Sequence, residues 1–276
     1  MHFHYTDTTG LLGIVDTSAL RATHLLFMND QGELSHTNRL MMGIYEREML
    51  AIDPPEASTL IALQRDFLHR IRFGLEHVPM DVYAVCFCEN NDLLSQWRAY
   101  GDRGGGFSLG FDVTAILALA KTAFPECQVD AGAVIYRRQQ QEKVVQDAYT
   151  HASEKLTRLA REDEGRDHDE LANQCVAGFF DEVLRLAPFF KQDSFFEEQE
   201  WRVVIRGAVP RTQVKFRPHQ LGPVPYVEIQ FPRGDGGPLK AVRIGPTKQK
   251  EVVRRSLDLY FDTAGIEISS SEVTLR

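Results

Sequence analysis

Four clusters have residue types and spacing that could do chemistry. The first is His4-Tyr5-Thr6. On a strand, side chains two apart share a face, so His4 and Thr6 would offer hydrogen bonds to one side and Tyr5 to the other. The second is Glu197-Glu198-Gln199-Glu200-Trp201-Arg202. Read as a strand beginning near Gln199, it sets Glu198 and Glu200 on one face. Adjacent carboxylates repel, which raises the pKa of one or both. A carboxylate leading into the apolar run WRVVI is costly unless partnered or useful; the competing reading is a structural ion pair with Arg202. The third runs from Asp92 to Asp102 and includes Ser95, Trp97, Arg98 and Tyr100. Trp, Arg and Tyr together can stack on a flat ring and bind a phosphate, although a capped helix with Trp97 in the core explains them as well. The fourth, Phe27-Met28-Asn29-Asp30 with Glu33, is a polar turn closing a strand, and a plain Asx turn accounts for it equally.

Other chemistries lack their signatures. Gly104-Gly105-Gly106 precedes a strand and lacks the spacing and following helix of a dinucleotide loop, so it reads as a hairpin turn. There is no Walker A sequence, no G-x-S-x-G elbow and no H-E-x-x-H. Cys86 and Cys88 alternate along a strand-like run, and with Cys127 and Cys175 they read as reduced thiols rather than a zinc set. The formal net charge of −8 weakens any bulk attraction to nucleic acid or anionic membranes. Two basic groups, Arg202, Arg206, Arg211, Lys215 and Arg217, and Arg243, Lys248, Lys250, Arg254 and Arg255, read as solvated faces. MHFHYTDTTG has neither basic nor apolar leader character, and no apolar run is long enough to span a bilayer, so a cytoplasmic location without membrane contact is expected.

The elements that must position these residues follow from periodicity. Strands are expected at 2–6, 20–28, 82–88, 107–112, 130–136, 199–206, 213–216, 225–231 and 240–244, with a last one in IEISSSEVTL. Helices are expected after Asp7 or Thr8, at 34–50 and 56–78, around LLSQWRAYG, at 113–122 and at 247–264. Residues 139–187 hold one or two long helices broken where charge crowds near 163–169. With 43% hydrophobic and 25% charged residues, the 276-residue chain can build a sizeable core. Strands at both ends and helices between predict an α+β fold. We expect one domain over 1–276 with a helical insertion at about 139–190.

The order of motifs carries a family resemblance. HYT, a leucine helix, LRATHLLFMNDQGE, VCFCENNDLLSQWRAYGD with GFSLGFD, FFEEQEWRVV and VPYVEI together closely resemble a bacterial family known as domain of unknown function 2971, from His4 to about Pro246. A second, more distant similarity is to the ADP-ribosyltransferases, nearest their DNA-modifying toxin branch: an opening strand bearing His, a helix of the form L-x-x-I and a late strand led by Glu. That resemblance implies a mainly antiparallel split sheet flanked by helices. It implies an NAD-binding set of His4, Tyr5, Thr6, Arg21, Asn29, Ser95, Trp97, Arg98 and Tyr100, with Glu200 as the catalytic carboxylate and Glu198 beside it as in a biglutamate pair. The run VCFCEN departs from the plan, lacking its middle-strand Tyr or Ser-Thr-Ser.

The implied activity is ADP-ribosyl transfer from NAD, or NAD hydrolysis, in bacterial conflict or phage defence. NAD is the substrate, no metal is needed, the acceptor is a protein or nucleic acid, and a cognate inhibitor protein is a further partner. Cleaving the nicotinamide bond builds positive charge on the ribose, which a fixed carboxylate in a dry site stabilises. Arg21 or Arg98 would hold the pyrophosphate, and Trp97 or Tyr100 would stack on nicotinamide. The alternatives are a non-catalytic nucleotide- or protein-binding module with a degenerate cleft, and a hydrolase in which Glu198 and Glu200 handle a metal or water. The NAD reading requires the first strand and the strand from 199 to lie side by side, with His4 and Glu200 facing one pocket within about 10 Å, the scale of a nicotinamide riboside cleft.

Overall fold

The computed structural model describes residues 1–28, 32–52, 59–77, 81–101, 105–162, 165, 167–220, 222–234, 236–261 and 265–274, with backbone alone at 32–35 and 75–77. The chain divides into two compact units. The first comprises Met1–Met28, Asp81–Val134 and Ser194–Arg276; the second comprises Asn29–Met80 and Ile135–Asp193. The helical unit thus takes in 29–80 as well as the segment that the sequence marks as an insertion.

Among the described residues, the first unit is built on a mostly antiparallel sheet of ten strands. Its centre is β3 (Val82–Cys88), VYAVCFC, an apolar run buried on both faces. Along one edge, every residue of β3 pairs with β6 (Glu200–Arg206). The other edge is shared. β2 (Ala19–His24) pairs with it at Tyr83 and Ala84, and β1 (His2–Thr6) pairs at Cys88. Between those points the sheet forks: β1 turns away along β4 (Phe107–Phe111), and β2 along β8 (Gly222–Gln230). Beyond them lie β9 (Leu239–Ile244) and β10 (Glu267–Ser270), which pair parallel to each other, and β7 (Lys215–His219); β5 (Gln128–Ala133) borders β6.

One face of this sheet carries the core. Tyr83, Val85 and Phe87 of β3, Leu109 of β4, and Val203 and Ile205 of β6 pack against Leu11 and Ile14 of α1 (Thr8–Thr17), Ile116 and Ala120 of α5 (Val113–Ala123), and Leu257 and Phe261 of α8 (Lys250–Phe261). Asp7 caps α1 by accepting from the Gly10 amide at 2.7 Å, as its place before the leucine pattern predicts. The opposite face carries a smaller cluster of Phe3, Tyr5, Cys88 and Trp97, the last on α4 (Leu94–Tyr100).

The second unit packs α2 (Gly32–Ala51), α3 (Thr59–His77), α6 (Arg138–Glu162) and α7 (His168–Leu186) around Phe67, Leu68, Val145, Leu156, Phe179 and Val183. Asp167 caps α7 where the charge-rich break interrupts the helical pattern. Fully buried Gln141 ties this unit together: its amide donates to the carbonyls of Ile135 (2.5 Å) and Lys191 (2.8 Å), and its Oε1 lies 2.6 Å from His36 Nε2.

Candidate functional site

Of the sequence-marked residues, His4 stands on β1 at one side of the fork and Arg21 on β2 at the other. A strand edge that loses its neighbour leaves carbonyls unpaired, and such groups need partners. Here the imidazole of His4 supplies one: its Nδ1–H donates to the Cys86 carbonyl at 2.8 Å. His4 is partly buried, and its ring also meets Phe87 edge-on at 6.1 Å. Burial lowers the imidazole pKa below its usual 6.5, opposed by the hydrogen bond to Cys86. Among the described residues, Nε2 of His4 has no hydrogen-bond partner.

His4 and Glu200 are not arranged as expected. Their strands are not neighbours, because β3 runs between them. Partners across antiparallel strands share a face. The register Phe3↔Cys88↔Glu200 therefore sets Glu200 on the face of Phe3 and Tyr5, and His4, one residue along, projects from the other. The expectation of two side-by-side strands gripping one sugar is corrected accordingly.

Glu200 is closed off by a partner. Arg202 Nε donates to its Oε1 at 2.8 Å and Nη2 to its Oε2 at 3.0 Å, a bidentate pair in which Arg202 is 0% and Glu200 6% exposed. The ion-pair reading thus describes this carboxylate. Glu198 does not share its strand face. It ends a 3-10 helix, Asp193–Glu198, and Gln199 then adopts a left-handed conformation, φ 45°, that breaks the two-residue alternation before β6 begins at Glu200. Charge-dense EEQE reads as strand by continuity with WRVVI; only the backbone reversal at Gln199 separates them.

The third cluster turns inward. Trp97 is fully buried, so its ring presents no open face for stacking. It meets Tyr5 edge-on at 4.7 Å and donates through Nε1 to Asp92 at 2.8 Å. Tyr5 is buried too, its hydroxyl donating to the Asn90 carbonyl and accepting from the Leu93 amide, both at 2.9 Å. Burial raises the Tyr5 pKa far above that of a free phenol, and pushes the neighbouring Cys88 thiol up to about 11. Tyr5 and Trp97 are therefore packing residues. Arg98 and Tyr100, on the same helix, are exposed. Ser95 Oγ is buried with no hydrogen-bond partner among the described residues. Thr6 packs its hydroxyl over Gly10, where a Cβ would stand 1.8 Å from Oγ1. Arg21 is exposed on β2, across the fork from β1, its guanidinium 5.0 Å from the Tyr226 ring. Asn29 lies outside the described residues.

Sequence reasoning missed Asp92 as a hub. Its carboxylate accepts from Ser271 Oγ (2.5 Å), the Glu272 amide (2.8 Å), Trp97 Nε1 (2.8 Å) and Arg243 Nη1 (3.4 Å). Burial alone would raise its pKa, but the bonds from Ser271, Glu272 and Trp97 and the Arg243 charge hold it below the usual 3.8. No local signal links Asp92 to a hydroxyl 179 residues away.

Among the described residues, no group of three or more His, Cys, Asp or Glu side chains could hold a metal ion, and no helix is long and apolar enough to cross a membrane. No curated protein and no solved structure matches the chain. A family model described as a protein of unknown function (DUF2971) matches residues 96–203, a narrower span than the sequence motifs marked out. The resemblance to that family is thereby supported over the segment from α4 to β6, which carries both the Trp97-Arg98 and the Glu200-Trp201-Arg202 motifs.

Proposed function

We propose that this chain is a nucleotide-binding protein built on an ADP-ribosyltransferase-like plan, with NAD as its ligand and the fork between β1 and β2 as the binding point. The observation that carries this reading is His4. Its Nδ1 is committed to the Cys86 carbonyl, which fixes the ring and the tautomer, and its Nε2, an acceptor without a hydrogen-bond partner among the described residues, would take a ligand hydroxyl. A ring held by a backbone bond is pre-organised, so a ligand need not order it.

The reading supported best stops at binding. Glu200 is tied to Arg202 and projects from the opposite face to His4, which disfavours a joint grip on one ribose. Transfer or hydrolysis by Glu200 remains the second reading, favoured by one observation: its carboxylate stands at the first residue of β6, in register with Cys88 at the fork, within a buried setting where fixed charge acts strongly.

The test is a titration of the purified protein with NAD by calorimetry, beside a measurement of free nicotinamide over time. Saturable binding that His4→Ala removes supports the fork. Nicotinamide release that Glu200→Gln abolishes in a folded protein promotes the second reading. Absence of NAD binding, or binding indifferent to His4→Ala, refutes the proposal.

A further inference from the structure

On the sheet face shared by Thr23 and Arg21, the strands β2, β8 and β7 bring together cations that the sequence scatters. The cross-strand row Thr23↔Tyr226↔Lys215 is flanked on one side by Arg21↔Glu228 and on the other by Val224↔Arg217. Because partners in register share a face and rows on one face lie about 7 Å apart, the Arg21 and Arg217 side chains rise on either side of the Thr23 hydroxyl. Tyr226 is buried beneath them, with Arg21 over its ring at 5.0 Å.

The charges do not balance locally. Lys215 is satisfied by Glu228 at 2.6 Å, and Glu228 also accepts from Gln230 at 3.1 Å. Arg21 and Arg217 have no carboxylate partner among the described residues. Arg217 reaches Thr23 Oγ1 only at 3.5 Å, and its Nε is a buried donor with no hydrogen-bond partner among the described residues. A buried, unpaired guanidinium N–H is costly and calls for an acceptor. Two planar donor forks flanking a hydroxyl fit the tetrahedral oxygens of a phosphate, which guanidinium groups bind bidentately.

We propose that this face of β2, β8 and β7 is a phosphate-binding site, with Arg21 and Arg217 as its clamp and Thr23 as the hydroxyl donor between them. The site takes Arg21, to which the resemblance gives a pyrophosphate, and goes beyond the NAD reading by adding Arg217 and Thr23 and by serving any phosphate ester, whether a nucleotide pyrophosphate or the backbone of a nucleic acid strand.

The probe is inorganic pyrophosphate, titrated into the whole chain by calorimetry. Saturable binding near one per chain is expected, weakened at least about tenfold by Arg21→Gln and by Arg217→Gln, as loss of a charge-assisted bond implies. Arg254→Gln, an exposed cation on α8, should leave it unchanged. Arg21 is exposed, so its replacement keeps the fold, which circular dichroism checks. Competition by ADP-ribose assigns the site to nucleotides, and competition by a short oligothymidylate assigns it to nucleic acid. Failure of NAD to bind while pyrophosphate does would refute the fork proposal and leave this one standing. No saturable binding up to about 10 mM, or binding untouched by both Arg variants, overturns it.

Discussion

Glu200→Ala tests whether the head of β6 is first a structural pair. Arg202 is 0% exposed and meets both oxygens of Glu200 at 2.8 and 3.0 Å, so removing the carboxylate takes a bidentate anionic partner from a guanidinium held away from water. Breaking a buried pair from one side costs about 3–5 kcal/mol. For a unit of this size each kcal/mol moves Tm by about 2–4 °C, so a fall of about 6–20 °C is expected in calorimetry. Glu200→Gln keeps an acceptor and loses the charge, and should cost less, about 1–3 kcal/mol. Urea unfolding of Glu200→Ala, Arg202→Ala and the double variant closes a cycle, where a coupling of about 2–3 kcal/mol is expected for residues in direct contact. A Glu200→Ala protein that melts within about 2 °C of the parent, or a coupling below about 0.5 kcal/mol, would refute the reasoning and return Glu200 to the catalytic reading.

Three further outcomes follow from the same geometry. Burial depresses the His4 pKa, so its stabilisation is full above its unfolded value of 6.5 and is lost as pH falls through the folded one; the urea midpoint should drop between pH 7 and pH 5, and less in His4→Gln. Trp97→Phe removes the indole donor to Asp92 and leaves a gap at a fully buried site, costing about 2–4 kcal/mol by urea unfolding and speeding amide exchange at Glu272. Gln141→Leu removes the side-chain donor that bridges the Ile135 and Lys191 carbonyls in the helical unit, and should destabilise by about 2–4 kcal/mol, read as a shifted urea midpoint.

Much of the fold was legible because local pattern and burial agree. VYAVCFC became β3 at the expected residues, Asp7 caps α1, and the charge-rich break divides α6 from α7. The sheet's order was not legible. That β3 separates β1 from β6 depends on pairings more than 80 residues apart, such as Phe3↔Cys88, which no local period encodes. The same holds for the site. HYT signalled a special strand, yet the alternation that made Tyr5 the outlier put it with Trp97 in the core and sent His4 into the fork. Arg217 showed only as one of a basic group read as a solvated face, and Thr23 and Tyr226 carried no signal, since each is ordinary until the register of β2, β8 and β7 aligns them.

The strand order also has a consequence during translation. β3 emerges early, but β6, which covers its entire second edge, is made more than a hundred residues later, and β8 must follow before β2 gains its outer neighbour. At roughly 5–20 residues per second, the ribosome leaves that edge open for on the order of ten seconds. The second segment of the helical unit, Ile135–Asp193, is synthesised within that interval. An apolar edge bare for so long is a template for wrong pairing, so yield in a heterologous host should depend strongly on growth temperature and on chaperone supply.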